Sequence, residues 1–253
     1  MDPSLGQVVV VTGASGGIGA ALAEELARRG AKLVLAARRR EALEEVARRC
    51  RAAEVVPTDV TRRAEVERLR DSAIARFGRV DAWVNNAGRG ITRSIAQLTE
   101  EDVDAMMRDN LKSALYGMQA VLPHFREARR GVLANVSSML SRVPFATIRS
   151  AYSASKAALD SLTETLRLEL AKDFPDIRVV LVLPGVVATD FGTNALGGGP
   201  DSRTLPGAQP VEEVARLIAD GLWAGPADVY TRPDGLDRVL AHLRGLAGLP
   251  GGS

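Results

Sequence analysis

The chain has 253 residues, 46% of them apolar and 25% charged, with 33 basic side chains against 31 acidic ones. This is an ordinary globular composition that excludes disordered and fibrous architectures, and a formal charge of +2 is too balanced to point to a nucleic-acid partner. One cysteine, Cys50, and two histidines, His124 and His242, argue against an internal disulfide and against a zinc or other metal site.

The opening MDPSLGQ lacks a basic segment followed by an apolar stretch, so no secretory signal is expected. The longest apolar runs, at 8–11 and 179–183, are far too short to cross a bilayer. A cytoplasmic protein without an integral membrane segment is the expectation.

Strand-like and helical patterns alternate from the first residues onward. Residues 7–12 predict a strand, 18–29 a helix with Ile18, Leu22 and Leu26 on one face, 32–36 a second strand and 40–51 a charged surface helix. Further strands are expected at 54–57, 80–84, 131–136, 177–183 and 228–231, with helices near 61–77, 99–128, 151–172 and 211–224. The strands read as continuous apolar runs, the pattern of a sheet covered on both faces. Regular alternation predicts an α/β fold: a doubly wound, Rossmann-like sheet of about seven parallel strands with helices on both faces.

No repeat or composition shift divides the chain, so residues 1–253 are expected to form a single domain. The stretch 192–210, rich in Gly, Pro, Ser and Asp, exceeds an ordinary connection and reads as a flexible substrate lid. From 233 to 253 a C-terminal helical extension is expected, with Leu236, Val239, Leu240, Leu243 and Leu246 as its packing face and a membrane-surface or dimer-contact helix as the alternative.

Three motifs carry chemistry. The first strand runs into Gly13-Ala14-Ser15-Gly16-Gly17-Ile18-Gly19 and then a helix, where free backbone N–H groups and the helix dipole suit a pyrophosphate. Its spacing is Gly-x-x-x-Gly-x-Gly, not the Gly-x-Gly-x-x-Gly of the standard dinucleotide turn. The second strand ends in Ala37-Arg38-Arg39-Arg40, without the carboxylate that would accept from a ribose 2′-hydroxyl. Arg38 there can meet a 2′-phosphate, which favours NADP(H) over NAD(H). The third is Tyr152-Ser153-Ala154-Ser155-Lys156, whose i, i+4 spacing puts a phenol and an ammonium on one helix face. Only four of the 33 basic residues are lysines, so Lys156 stands out, and its charge is expected to draw the Tyr152 pKa from about 10 toward neutrality.

Taken in order, the turn at 12–19, Asp59-Val60, Asn85-Asn86-Ala87-Gly88, Asn110, Ser137-Ser138, Tyr152-x-x-x-Lys156 and Pro184-Gly185-Val186-Val187-Ala188-Thr189 resemble the classical short-chain dehydrogenase/reductase (SDR) family over residues 6–232. The resemblance implies that Gly13, Ser15, Gly17, Ile18 and Gly19 line the cofactor phosphates, that Asp59 and Val60 hold the adenine, and that Asn86 lies against the adenosine ribose. It further implies that Tyr152 exchanges the proton and Ser138 bonds the substrate oxygen. Lys156 would bind the nicotinamide ribose and Asn110 would anchor a relay water. Pro184, Gly185, Val187 and Thr189 complete the cofactor site, the last two orienting the carboxamide.

Three departures from the family pattern are visible. Ser138 lies fourteen residues before Tyr152, one more than usual, with Ser137 as the fallback. Gly16 stands where some NADP-preferring members carry a basic residue, and the glycine-rich C-terminal ending of fatty-acid-synthesis ketoreductases is missing.

Met139, Leu140, Val143, Phe145, Phe191 and Leu196 suggest an apolar substrate pocket. Arg142 or Arg149 is available to an anionic group, although with so many arginines a solvated surface role is the preferred reading for both. The function expected is an NADP(H)-dependent reductase of ketones or aldehydes, a small-molecule enzyme built as a homodimer or homotetramer on the helices near 99–128 and 151–172. A 3-oxoacyl thioester reductase and a non-catalytic dinucleotide sensor or scaffold are the alternatives.

Overall fold

In the computed structural model, which describes residues 2–248, the apolar runs pair into one sheet. Its strands are β1 (Val8–Thr12), β2 (Lys32–Ala37), β3 (Ala53–Pro57), β4 (Ala82–Asn85), β5 (Gly131–Val136), β6 (Ile177–Leu183) and β7 (Asp228–Tyr230). All run parallel, in the order β3-β2-β1-β4-β5-β6-β7. The helices are α1 (Gly17–Arg28), α2 (Arg40–Arg48), α3 (Arg63–Phe77), α4 (Glu100–Met106), α5 (Ser113–Ala128), α6 (Ser150–Ala171), α7 (Val211–Trp223) and α8 (Gly235–Leu246).

Alternate residues of each strand enter separate cores. Val9, Val11, Leu33 and Leu35 pack with Leu22 and Leu26 of α1 and Ile218 and Leu222 of α7. Val10 and Val34 face the other way, toward Leu69 of α3, Val121 and Phe125 of α5 and Leu159 of α6. Burial on both faces is why these strands show no polar alternation. A buried amide ladder crosses the second core: Asn85 Nδ2 donates to Asn135 Oδ1 at 2.9 Å, and Asn135 Nδ2 to Thr163 Oγ1 at 2.9 Å, tying β4, β5 and α6 together.

The structure moves some expected boundaries. β4 begins at Ala82, not at residue 80; just before it the Asp81 carboxylate accepts from Val8 N at 2.8 Å and from Arg79 Nε at 2.7 Å. The helix expected over 99–128 is broken by a π-helical turn, Met107–Lys112, between α4 and α5. At the C-terminus the predicted apolar face of α8 is mostly open: Val239 is buried, but Leu236, Leu240, Leu243 and Leu246 are exposed. The helix thus docks through Val239, against Met139, Leu181 and Leu183, rather than through a leucine stripe. Residues 249–253 of the expected C-terminal extension lie outside the described residues. No described helix is long and apolar enough to cross a membrane.

β1 and β4 are neighbours whose following connections leave on opposite faces of the sheet, so a crevice opens beyond their C-terminal ends. Such a switch point is where open parallel sheets bind ligands. The turns after β1, β4, β5 and β6 carry the glycine turn, Asn86, Ser138 and the Pro184–Thr189 segment.

Candidate active site

Thr12 ends β1 and joins it to β4: its hydroxyl donates to Val84 O at 3.2 Å and accepts from Asn86 N at 3.0 Å. Asn86 Nδ2 then donates to Thr12 O at 3.0 Å and Gly13 O at 3.4 Å, so this amide braces the glycine turn from below. Gly13 has φ +66°, and a Cβ there would lie 2.9 Å from Ala87 Cα. At Gly19 a Cβ would meet Gly13 O at 2.4 Å. The first bond within α1 is Ala20 N to Gly16 O at 3.3 Å, and no side chain caps the helix. The N–H groups of Gly17, Ile18 and Gly19 therefore remain open to an anion. Cradle and donors fit the diphosphate of a dinucleotide.

At the ends of β2 and β3, Arg38 is exposed and close enough to act electrostatically on Asp59. Although burial opposes it, hydrogen bonds from Thr61 and the charges of Arg38 and Arg62 hold the Asp59 carboxyl below its ordinary range. Val60 is half-buried against the second core. Arg39 reaches back to Ser15 Oγ at 3.5 Å, so a second guanidinium touches the glycine turn.

Tyr152 and Lys156 lie on the buried face of α6. Lys156 Nζ donates to Val136 O at 2.7 Å and sits 5.9 Å from the centroid of the Tyr152 ring, whose other neighbour is Phe191 at 5.5 Å between centroids. Asn110 is fully buried in the π turn, a device that widens a helix locally and recurs at functional sites. Its amide is engaged at both ends by Arg89: Arg89 N donates to Oδ1 at 2.9 Å and Nδ2 donates to Arg89 O at 3.0 Å. Gly88 fits between the two side chains, since a Cβ there would lie 2.7 Å from Asn110 Oδ1 and 3.4 Å from Lys156 Nζ.

The two serines after β5 separate clearly. Ser137 donates to the Asp160 carboxylate and to Lys156 O, and is occupied by those bonds. Ser138 turns its hydroxyl toward Tyr152, accepting only from Leu140 N at 3.2 Å. Between Ser138 and Tyr152 the chain makes the short 3-10 turn Met139–Ser141 and a loop that leads into α6. Asp160, one helical turn beyond Lys156, escaped the sequence reading, although its i+4 spacing from Lys156 was the available signal. It also accepts from Ser141 Oγ at 2.6 Å and pairs with Arg142 Nε at 2.9 Å.

Electrostatics here depart from the expectation. Burial pushes the Tyr152 phenol up to about 12, against the pull of the Ser138 hydroxyl and the Arg149 guanidinium. Burial likewise pushes Lys156 down to about 8, with Asp160 opposing. Desolvation is the largest cause of both shifts. A native lysine that loses its proton near 8 differs from an unfolded one that keeps it to about 10.4. Between those values the unfolded chain binds more protons, so this group makes the fold more stable as pH rises. The melting temperature of wild type minus that of Lys156→Met is expected to increase from pH 8 to pH 10. Above pH 10 Tyr152 acts in the opposite sense, because the unfolded phenol ionises first. A pH-independent difference in circular-dichroism melts would refute the assignment.

After β6, Pro184 O accepts from Met139 N at 2.9 Å and Gly185 N donates to Thr231 Oγ1 at 3.4 Å. Val187 is buried and bridges to Gln209, while Thr189 Cγ2 lies 3.5 Å from where a Gly17 Cβ would be. The 184–189 segment thus reaches the glycine turn. Residues 192–210 fold back over the site, with Leu196 bridging to Ile91 and Arg89 Nε donating to Asn194 O at 3.3 Å.

Beside Gly185 a cavity of about 460 Å³ is lined by Met139, Val143, Phe145, Val186, Pro206 and Ala241, with Arg232 and Arg238 among its walls. Leu140, Phe191 and Leu196, expected in the same pocket, instead pack with Ile91 and Met106 around Tyr152. Arg142 is taken by Asp160, Glu164 and Asp228.

A doubly wound parallel sheet with a phosphate cradle at its switch point, beside a buried Tyr–Lys pair, defines a dinucleotide-binding α/β protein. Residues 7–196 match the short chain dehydrogenase family, and the chain belongs to it. An uncharacterized oxidoreductase of Staphylococcus aureus is 40% identical over 90% of this chain and 97% of its own length. A short chain dehydrogenase/reductase from Burkholderia phymatum in complex with NAD superposes with a TM-score of 0.88 at 26% identity, covering 100% of this chain and 99% of that one. A short-chain dehydrogenase from Sphingobium yanoikuyae in complex with NADPH gives 0.80 at 30% identity over 96% and 95%.

Proposed function

We propose that the protein is an NADP(H)-dependent oxidoreductase that interconverts a carbonyl and an alcohol on a largely apolar small molecule, working as a ketone or aldehyde reductase in the cytoplasm. The observation that carries this reading is the convergence of Ser138, Tyr152, Lys156 and Asn110 beside the phosphate cradle, from three separate elements. Nicotinamide supplies the hydride when bound. Tyr152, whose hydroxyl is kept protonated by burial, gives a proton to the carbonyl oxygen, and Ser138 stabilises the same oxygen by donating a hydrogen bond. Lys156 holds the nicotinamide ribose and passes protons to Tyr152. Asn110, fully buried in the π turn with its amide bonded to Arg89, anchors the relay water.

Preference for NADP(H) rests on Arg38, exposed at the end of β2 where no carboxylate stands, with Arg39 beside it. A charge-assisted bond to a 2′-phosphate contributes about 1.5–3 kcal/mol. Arg38→Asp is therefore expected to shift the NADPH-to-NADH ratio of kcat/KM by roughly 10- to 100-fold toward NADH. An unchanged ratio would place the phosphate elsewhere.

The assembly proposed is a homodimer or homotetramer built on α4–α5 and α6, where Leu168 is exposed. NADPH oxidation followed with a broad panel of ketones, aldehydes and 3-oxoacyl thioesters tests the whole reading. Tight NADPH binding without turnover of any of them would favour a sensor.

A further inference from the structure

Arg149 directly precedes α6, three residues before Tyr152, and only 9% of it is exposed. Nη1 donates to Ile91 O at 3.0 Å, and among the described residues Nε and Nη2 have no hydrogen-bond partner and no carboxylate pairs with the guanidinium. This contrasts with Arg142, similarly placed near α6 but surrounded by three carboxylates. Neither Nε nor Nη2 of Arg149 is fully enclosed, so this edge keeps contact with solvent while the rest of the side chain is buried without a counter-charge, which is unfavourable for a cation. Fastening the loop at Ile91 requires one neutral donor, so a guanidinium is more than that contact needs. The free Nε–Nη2 edge is the side of an arginine that grips a carboxylate with two parallel bonds.

The surroundings suit an anion. No side chain caps the N-terminus of α6, so its first N–H groups add to the positive field at the same place. Glycines flank the guanidinium: a Cβ at Gly90 would lie 2.9 Å from Nη1, and one at Gly199 would lie 3.2 Å from Nη2. Phe191, which packs on the Tyr152 ring, closes the other side of Gly90. A carboxylate on the Nε–Nη2 edge would lie within one helical turn of the proton-transferring phenol, beside Gly199 of the 192–210 segment.

We propose that Arg149 receives a carboxylate of the substrate, so that the enzyme acts on oxo acids and hydroxy acids whose reacting carbon lies at Tyr152. This rests on the oxidoreductase reading above and narrows its substrate class. The acid and its neutral ester differ at this contact alone, which makes the pair the natural probe.

The experiment uses straight-chain oxo acids of graded length, each beside its methyl ester, with wild type, Arg149→Leu and Arg149→Lys. Binding is measured calorimetrically with and without NADPH, and turnover by NADPH oxidation. The acid-to-ester ratio, in both binding and kcat/KM, is expected to fall at least about 100-fold in Arg149→Leu, the lower bound for two lost charge-assisted bonds. Arg149→Lys, which keeps the charge but loses the fork, should fall between. A ratio that does not move, with acid and ester weakened alike, would make Arg149 a structural tie and overturn the proposal, as would a series in which no acid binds. Turnover of the esters in that case leaves the oxidoreductase reading intact. Conversely, acids that bind through Arg149 but are never reduced would overturn the assignment of oxo acids as the substrate class, while turnover of other ketones or aldehydes would leave the oxidoreductase reading standing.

Discussion

Tyr152→Phe is expected to lower kcat by about 10³-fold, the size of the contribution made by one well-placed general acid. NADPH affinity should change little, because the phenol ring keeps its packing against Phe191 and only the hydroxyl is lost. The fold should tolerate the change as well: the substitution conserves volume, and it removes a buried polar atom whose ionisation is already suppressed. Steady-state turnover and a fluorescence titration with NADPH separate the two effects. Activity that survives the substitution would exclude Tyr152 as the proton donor, and with it the mechanism proposed.

Gly19→Ala is expected to damage cofactor binding and stability together. The added Cβ would lie 2.4 Å from Gly13 O and 2.5 Å from Asn86 Nδ2. Neither can withdraw freely, since the Asn86 amide is bonded to Thr12 O and Gly13 O on the floor of the turn. The turn must therefore open, at a cost of about 1–3 kcal/mol typical of overpacking. Losing even two N–H bonds to the diphosphate weakens NADPH roughly 100-fold. Gly16→Ala is the control: its backbone is extended, with φ 175°, and nothing lies within 4 Å of its Cβ position. Its melting temperature should stay at the wild-type value. Equal losses in both variants would mean that general turn flexibility, not the clash at Gly19, governs binding.

Much of the site was legible because its chemistry is local in sequence. A strand running into a glycine turn and a helix, or a tyrosine and lysine one turn apart, puts the groups on one surface whatever the rest of the chain does. The choice between Ser137 and Ser138 was different in kind. Adjacent residues at a strand end point opposite ways, and only the packing of α6 against β5 shows that Asp160 takes Ser137. Similarly, the π turn at Asn110 leaves no periodicity in a helix-forming stretch, and appears only when the amide is seen bonded to Arg89 across the crevice.

The C-terminal helix shows the reverse error. Its leucine spacing is a sound local signal for a helix, and a helix forms, but spacing cannot say whether an apolar face meets a partner within the chain. Here only Val239 does so. The protonation of the Tyr–Lys pair also could not be read from spacing: proximity predicts mutual charge stabilisation, whereas burial, a property of the whole packed domain, is the largest cause of both shifts.

Composition and chain order by themselves determined the doubly wound fold, the phosphate cradle and the Tyr152–Lys156 pair, because hydrophobic period, glycine placement and helical spacing act over a few residues. Tertiary structure alone decided what surrounds each charged group. Arg142 and Arg149 are indistinguishable in the sequence, yet one is neutralised by three carboxylates and the other is buried beside Tyr152 with its fork free. The physical reason is that an ion's energy depends on partners and dielectric brought from distant parts of the chain.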